Sequence, residues 1–296
     1  MKFTIKSKKI ISSVMALTML TAATAAADTS FVKNILPTNT LTADAAVSGD
    51  WYYEVIDGCR CKVTGYKGTS TTVHIPVSIA NHTVVAIGRN TRNGQNIGAF
   101  ENNNTIKNVY IPRGIGEVPA DAFRNCCSLK SVVVPEALNR IGTYAFENCS
   151  NLESVTGFTN LHYIDEGAFK NSGIKSFQNY SSFATGDHFI GIKAFQNCHS
   201  LSTVKLYGDW SISREAFDGC TSLYNIEYSS MATIDSAFGT GAFKGASTLT
   251  YLNGAQIFAY KAGQKYIFQK YVPYVGRYAW KLREDNVKLY MDYLNG

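Results

Sequence analysis

The chain has 296 residues, 45% of them hydrophobic and 17% charged, and a formal charge of +6. That length suits one elongated domain or two compact ones. Residues 1–27 hold four of the 28 basic residues and none of the 22 acidic ones, so removing them lowers the charge to +2. The basic charge of the whole chain is therefore no argument for nucleic acid or an anionic membrane as partner, and neither nucleic acid nor a membrane is expected.

In chain order, the first segment, "MKFTIKSKK", is basic, and the apolar run "IISSVMALTML" and the small residues "TAATAAAD" follow it. This is the order of a secretory signal peptide, with Ala25 and Ala27 at the cleavage pattern. Residues 1–27 are therefore predicted to be a signal peptide, with a second possible cleavage site in "ADAA" at 43–46. The apolar run is too short to span a membrane comfortably. The expected location is secreted, extracellular or cell-surface associated, with no stable membrane insertion after cleavage. Residues 28–50 lack periodicity and are expected to be a flexible leader. From Trp51, "WYYEVIDGCRCKVTGY" alternates apolar and polar residues around Asp57-Gly58, which predicts a β-hairpin. "TTVHIP" and "HTVVAIG" read as further short strands, so 51–98 form an N-terminal cap and first strands. Cys59 and Cys61, in strand-like sequence, should share a face.

A repeat follows. Ala-Phe pairs begin at Ala99, Ala122, Ala145, Ala168, Ala194, Ala216 and Ala242, at steps of 23, 23, 23, 26, 22 and 26 residues. Regular periods in the twenties indicate a solenoid with one coil per repeat. The unit reads I-x-x-x-A-F-x-[NG]-[CSA]-x-x-L-x-x-V-x-[VIL], and two copies end in proline. The L-x-x-V-x-V segment is the strand, with inward sets such as Leu129/Val132/Val134 and Ile106/Val109/Ile111. Pro112 and Pro135 stop it, because proline cannot donate to a ladder. Ala lets coils approach and Phe fills the coil interior. The Asn or Gly two residues after each Phe predicts positive φ at the end of a short helical turn. Cys126, Cys149, Cys198 and Cys220 share one column, which predicts a ladder of buried thiols. One coil cannot bury its own faces, so stacking must supply the stability. Repeats occupy 99–253. The Tyr-rich segment 254–296 is either a sticky aromatic surface or, as preferred here, a C-terminal cap.

This repeat resembles the BspA-like, or Treponema pallidum-type, leucine-rich repeat over about residues 51–252. The resemblance implies an α/β leucine-rich repeat solenoid. It would be mainly β and right-handed, with a parallel sheet on one face, short helical turns on the other and an N-terminal β-hairpin cap. It also implies a secreted or surface protein that mediates adhesion or protein binding, with no shared catalytic residues to carry over. The chain departs from the pattern at the polar insertion "RNTRNGQNI" and at the two 26-residue steps.

Two groups are candidate partner-binding residues. Tyr180, Tyr228, Trp210, Asp187 and Asp235 are expected on protruding loops, where aromatic residues serve protein hot spots or sugar rings. Tyr110, Lys205 and Glu227 lie in the outward columns of the strand face, which is either a broad binding surface or plain solvated strand. No H-E-x-x-H, G-x-S-x-G, P-loop or calcium loop occurs. No catalytic residue, cofactor or metal is therefore expected. The sequence favours a monomeric, non-catalytic module that binds an extracellular protein or polysaccharide. The alternatives are a scaffold without its own ligand and a small secreted hydrolase using the C-terminal segment.

Overall fold

The protein is described here by a computed structural model. It describes residues 45–92, 95–179, 188–207, 210–229, 241–246, 248–249, 251–252, 255–262 and 265–271, all within one unit spanning Ala43–Gly296. The signal segment and most of the leader lie outside the described residues.

Each repeat contributes one strand to a front ladder of parallel strands. Thr72–His74, Asn108–Tyr110, Ser131–Val133 and Ser154–Thr156 pair in register, so Val73, Val109, Val132 and Val155 form one inward row. The same arrangement resumes at Ser176–Gln178, Thr203–Tyr207, Asn225–Ser229 and Tyr251–Leu252. The inward sets read from the sequence are buried throughout. The front ladder breaks between Thr156 and Ser176. There the chain turns at Gly157 (φ +106°), where a Cβ would collide with the Val134 carbonyl. Phe158 is tucked inside against Phe177, with ring centroids 5.3 Å apart. One bond still spans the break, from the Lys175 N–H to the Glu153 carbonyl at 3.1 Å.

A second parallel ladder lies elsewhere on each coil and was not expected from the sequence. It joins Glu117–Val118, Arg140–Ile141, Tyr163–Ile164, His188–Ile190 and Trp210–Ile212. The leading aliphatic of the repeat is its inward residue: Val118, Ile141, Ile164, Ile190 and Ile212 are all buried.

The helical turns expected on the return side are not there: no described residue is helical, and the fold is mainly β rather than α/β. The cause lies in the backbone. From the second coil on, two residues four apart have positive φ, for example Asp121 with Asn125, Tyr144 with Asn148 and Lys193 with Asn197, all between +55° and +60°. Left-handed residues so close together leave too few residues between them for a full turn of α-helix. The amides divide accordingly. The N–H groups of Asp121, Phe123 and Asn125 donate to Thr143, Ala145 and Glu147 of the next coil, at 3.0, 2.8 and 2.8 Å. Those of Arg124 and Cys126 close back onto Asp121 and Phe123 at 3.1 Å. An α-helix would keep all of these bonds within its own coil.

The coil interior is organised around one column. Phe100, Phe123, Phe146, Phe169, Phe195, Phe217 and Phe243 stack in sequence, with centroids 4.8–5.5 Å apart and planes within 13° of parallel. The spacing follows from the ladders, since neighbouring strands lie about 4.8 Å apart. At the N-terminal end, strands Trp51–Val55 and Arg60–Tyr66 form the expected antiparallel hairpin. Trp51 stands edge-on to Phe100, at 6.4 Å and 82°. A further strand, Ala45–Ser48, pairs antiparallel with Trp51–Glu54, so structure begins inside the segment read as leader. At the other end, Ala255–Ala262 and Lys265–Tyr271 continue the front sheet as an antiparallel hairpin.

Candidate functional site

Two rows of outward side chains are the surfaces on which the fold can meet a partner. On the front ladder, register aligns His74, Tyr110, Val133 and Thr156, all exposed. His74 and Tyr110 stack face to face at 4.3 Å and 3°. The neighbouring row is small and polar. Asn108 donates to Thr72 Oγ1 at 3.2 Å, and the Ser131 hydroxyl donates to Asn108 Oδ1 at 2.8 Å. Beyond the break, Gln178, Lys205 and Glu227 align, and Lys205 Nζ lies 2.9 Å from Glu227 Oε2.

On the second ladder the outward row is Glu117, Arg140, Tyr163, Phe189 and Ser211, one residue per strand and all exposed. Tyr163 and Phe189, neighbours in the row, are 40% and 38% exposed. Arg140 lies over the Tyr163 ring at 5.6 Å, and its Nε donates to Asp165 Oδ2 at 2.8 Å.

The remaining polar columns hold the fold together. Cys126, Cys149, Cys198 and Cys220 are buried, and each Sγ is 3.0 Å from a phenylalanine carbonyl of the preceding coil. Burial pushes the Cys126 thiol up to about 12 and those of Cys149 and Cys220 well above the ordinary thiol range. Ser172 fills the gap in this column, 3.5 Å from Cys198 Sγ. Asn102, Asn125, Asn148, Asn171 and Asn197 form a chain in which each amide donates to the one before, at 2.8–3.1 Å. The chain ends at Gly219, which has no amide to donate and where a Cβ would meet Asn197 Oδ1. One column alternates in charge. Arg124 reaches Glu147 at 2.7 Å and Lys170 reaches it at 3.3 Å, and the Glu147 side chain is 6% exposed. Among the described residues no group of three or more His, Cys, Asp or Glu could hold a metal ion.

Trp210, expected on the surface, is 1% exposed and is corrected to a core residue. It shares the inward face of its strand with Ile212 and packs on His188 at 5.0 Å. Its Nε1 donates to the Tyr207 carbonyl at 3.1 Å. Tyr110 is 40% exposed on the front row, and Lys205 and Glu227 form the ion pair of that face. The backbone of Tyr228 pairs with Leu206, while its side chain lies outside the described residues. Tyr180, Asp187 and Asp235 lie outside the described residues. Cys59 and Cys61 do not share a face: Cys61 is buried in its strand, and Cys59 is exposed in the turn before it, where its N–H donates to Asp57. Sequence reasoning missed Tyr163 and Phe189, whose strand has no signal beyond the single aliphatic that follows each.

The family model described as BspA type leucine rich repeat region matches residues 91–187 and 181–281, with six copies. The fold is similar to that of a leucine-rich repeat protein from Bacteroides ovatus ATCC 8483. That match has a TM-score of 0.53 and 23% identity, and covers 70% of this chain and 60% of that one. It is also similar to the Treponema pallidum leucine-rich repeat protein, with a TM-score of 0.54 and 21% identity, covering 70% of this chain and 91% of that one. Comparison with curated protein sequences finds no match.

Proposed function

The chain belongs to the BspA type leucine-rich repeat family, and on that premise we propose that it is an exported, non-catalytic module that holds an extracellular protein or polysaccharide on its strand faces. The observation that carries this reading is the division of labour in every coil. Inward columns are buried, while outward columns are exposed or half-buried, aligned in register and free of any reactive cluster among the described residues. A surface of this kind offers many equivalent contacts at fixed spacing, which suits an extended partner. The front row centred on Tyr110 is the proposed contact for protein, with Lys205 and Glu227 supplying the polar part. Tyr180, Asp187, Tyr228 and Asp235 stay within the proposed contact set. The basic, apolar, small-residue order of residues 1–27 supports export. The hairpin Trp51–Tyr66 acts as the N-terminal cap, a reading supported by the contact of Trp51 with Phe100.

The test compares retention of the chain on arrays of matrix proteins and polysaccharides with that of the double variant Tyr110→Ala/Val133→Ala. Both positions are exposed, so the melting temperature should stay within about 2 °C of the parent. Reduced retention on the protein spots is the expected result. Equal retention of the two proteins there would remove the front row from the account.

A further inference from the structure

The second ladder supplies an observation independent of the front face. Its outward row reads acid, base, aromatic, aromatic, hydroxyl: Glu117, Arg140, Tyr163, Phe189, Ser211. We propose that this row is a binding subsite for one chain of a neutral, linear pyranose polysaccharide, laid across the strands along the solenoid axis. The inference rests on the reading of the protein as a binding module and assigns it a second face and a substrate class.

The dimensions come first. The row is one side chain wide, and adjacent members are set by strands about 4.8 Å apart. That is close to the advance of an extended polysaccharide per sugar ring, so successive sugars meet successive strands. A globular protein partner needs more apolar area than one row offers, since a stable interface buries about 800 Å² on each side; on either face a single row suits an extended chain. The chemistry agrees. The apolar faces of sugar rings stack on aromatic side chains, which bury much area at low entropy cost. Arg140 restrains the Tyr163 ring and is itself fixed by two contacts at 2.8 Å with Asp165, so the platform is ordered before a ligand arrives. Preorganisation of this kind lowers the cost of binding. Charge decides against anionic ligands. Arg140 is neutralised by Asp165, and the other charged member of the row is the carboxylate of Glu117. A sulfated or uronic glycan would meet no net positive field. The hydroxyls of a neutral sugar can donate to Glu117 and accept from Arg140 and Ser211.

The experiment is affinity electrophoresis of the whole exported chain through gels holding hydroxyethylcellulose, konjac glucomannan or mixed-linkage β-glucan, with heparin as the anionic control. Retardation by at least one neutral polymer and none by heparin is expected. Tyr163→Ala/Phe189→Ala should weaken it about tenfold or more, given two lost stacking contacts. Tyr163→Phe/Phe189→Tyr keeps both rings and should be retarded like the parent, and a circular dichroism melt of the alanine variant matching the parent's excludes a folding defect as the cause. Tyr110→Ala/Val133→Ala, on the front face, should also be retarded like the parent. No retardation by any neutral polymer, retardation by heparin alone, or undiminished retardation of the alanine double variant each overturns the proposal. Loss with the front-face variant instead would overturn it while leaving the module's binding role intact. Loss of protein retention in the front-face variant tests that role separately.

Discussion

Phe146→Ala tests the packing most severely. Phe146 is fully buried between Phe123 and Phe169, with ring centroids 5.3 and 5.2 Å away. Truncation removes the ring and strips a stacking contact from each neighbour. Relaxation into the space is limited. The coil backbone is clamped on both sides by bonds from the Phe123 N–H to Ala145 at 2.8 Å and from the Phe146 N–H to Ala168 at 2.7 Å. Buried Phe→Ala changes cost about 3–5 kcal/mol, and the cost grows with the cavity that stays open. A clamped coil places this one near 5 kcal/mol. Phe243, at the end of the stack, is only partly buried and should lose about 2 kcal/mol on the same change. Urea denaturation followed by circular dichroism measures both. A loss below about 1 kcal/mol for Phe146→Ala, or equal losses at the two positions, would refute the reasoning from ring stacking.

Charge, thiols and backbone conformation give three further expectations. Glu147→Ala takes the near-buried carboxylate from Arg124 and Lys170, whose side chains are partly exposed, and should cost about 1.5–2 kcal/mol in urea melts. Glu153→Ala breaks an exposed pair with Lys175 and should cost under about 1 kcal/mol, so a reversal of this order contradicts the burial assignment. Native maleimide labelling at pH 8 should reach Cys59 and Cys127, the two exposed cysteines, and mass spectrometry should show the buried thiols unmodified until denaturant is added. The same thiols set a pH dependence. An unfolded thiol ionises near 9, whereas folded Cys126 holds its proton to about 12, so stability is full below pH 9 and falls above it. By pH 10 the loss from Cys126 should be about 1.4 kcal/mol, and Cys126→Ala should remove that share of the slope while Cys149 and Cys220 keep theirs; an unchanged slope would count against a buried thiol. At Asn148 (φ +60°), Ala should be worse than Gly by about 1 kcal/mol, because both lose the amide chain but only Ala is strained.

Repetition made part of this fold readable. A column that recurs seven times reports its environment even where a single copy would be ambiguous, so the inward aliphatics, the Phe stack, the buried thiols and the left-handed Asn column all emerge from alignment of the chain with itself. What stayed hidden was set by neighbours rather than by residue type. The second left-handed column holds Asp121, Tyr144, Lys193 and Glu215. Of these only Asp favours positive φ, and the bonds between coils impose it on the others. With that column unseen, a helical turn looked natural. The second ladder contributes only two or three residues per coil, too few to show a period of two. Trp210 was legible in principle, because "WSI" puts it on the same face as Ile212, but the strand itself had to be recognised first. Ala45–Ser48 is a strand only because Trp51–Glu54 lies beside it.

The account depends on coils bonded to one another through the backbone beneath the Phe column. Hydrogen exchange of single amides tests this directly. The Phe123, Phe146, Phe169, Phe195 and Phe217 N–H groups each donate to an alanine carbonyl of the next coil at 2.7–2.8 Å. These five should be among the slowest to exchange and should open together. Exchange as fast as that of the exposed loop amides of Glu136 and Ala137 would contradict the stacked-coil account.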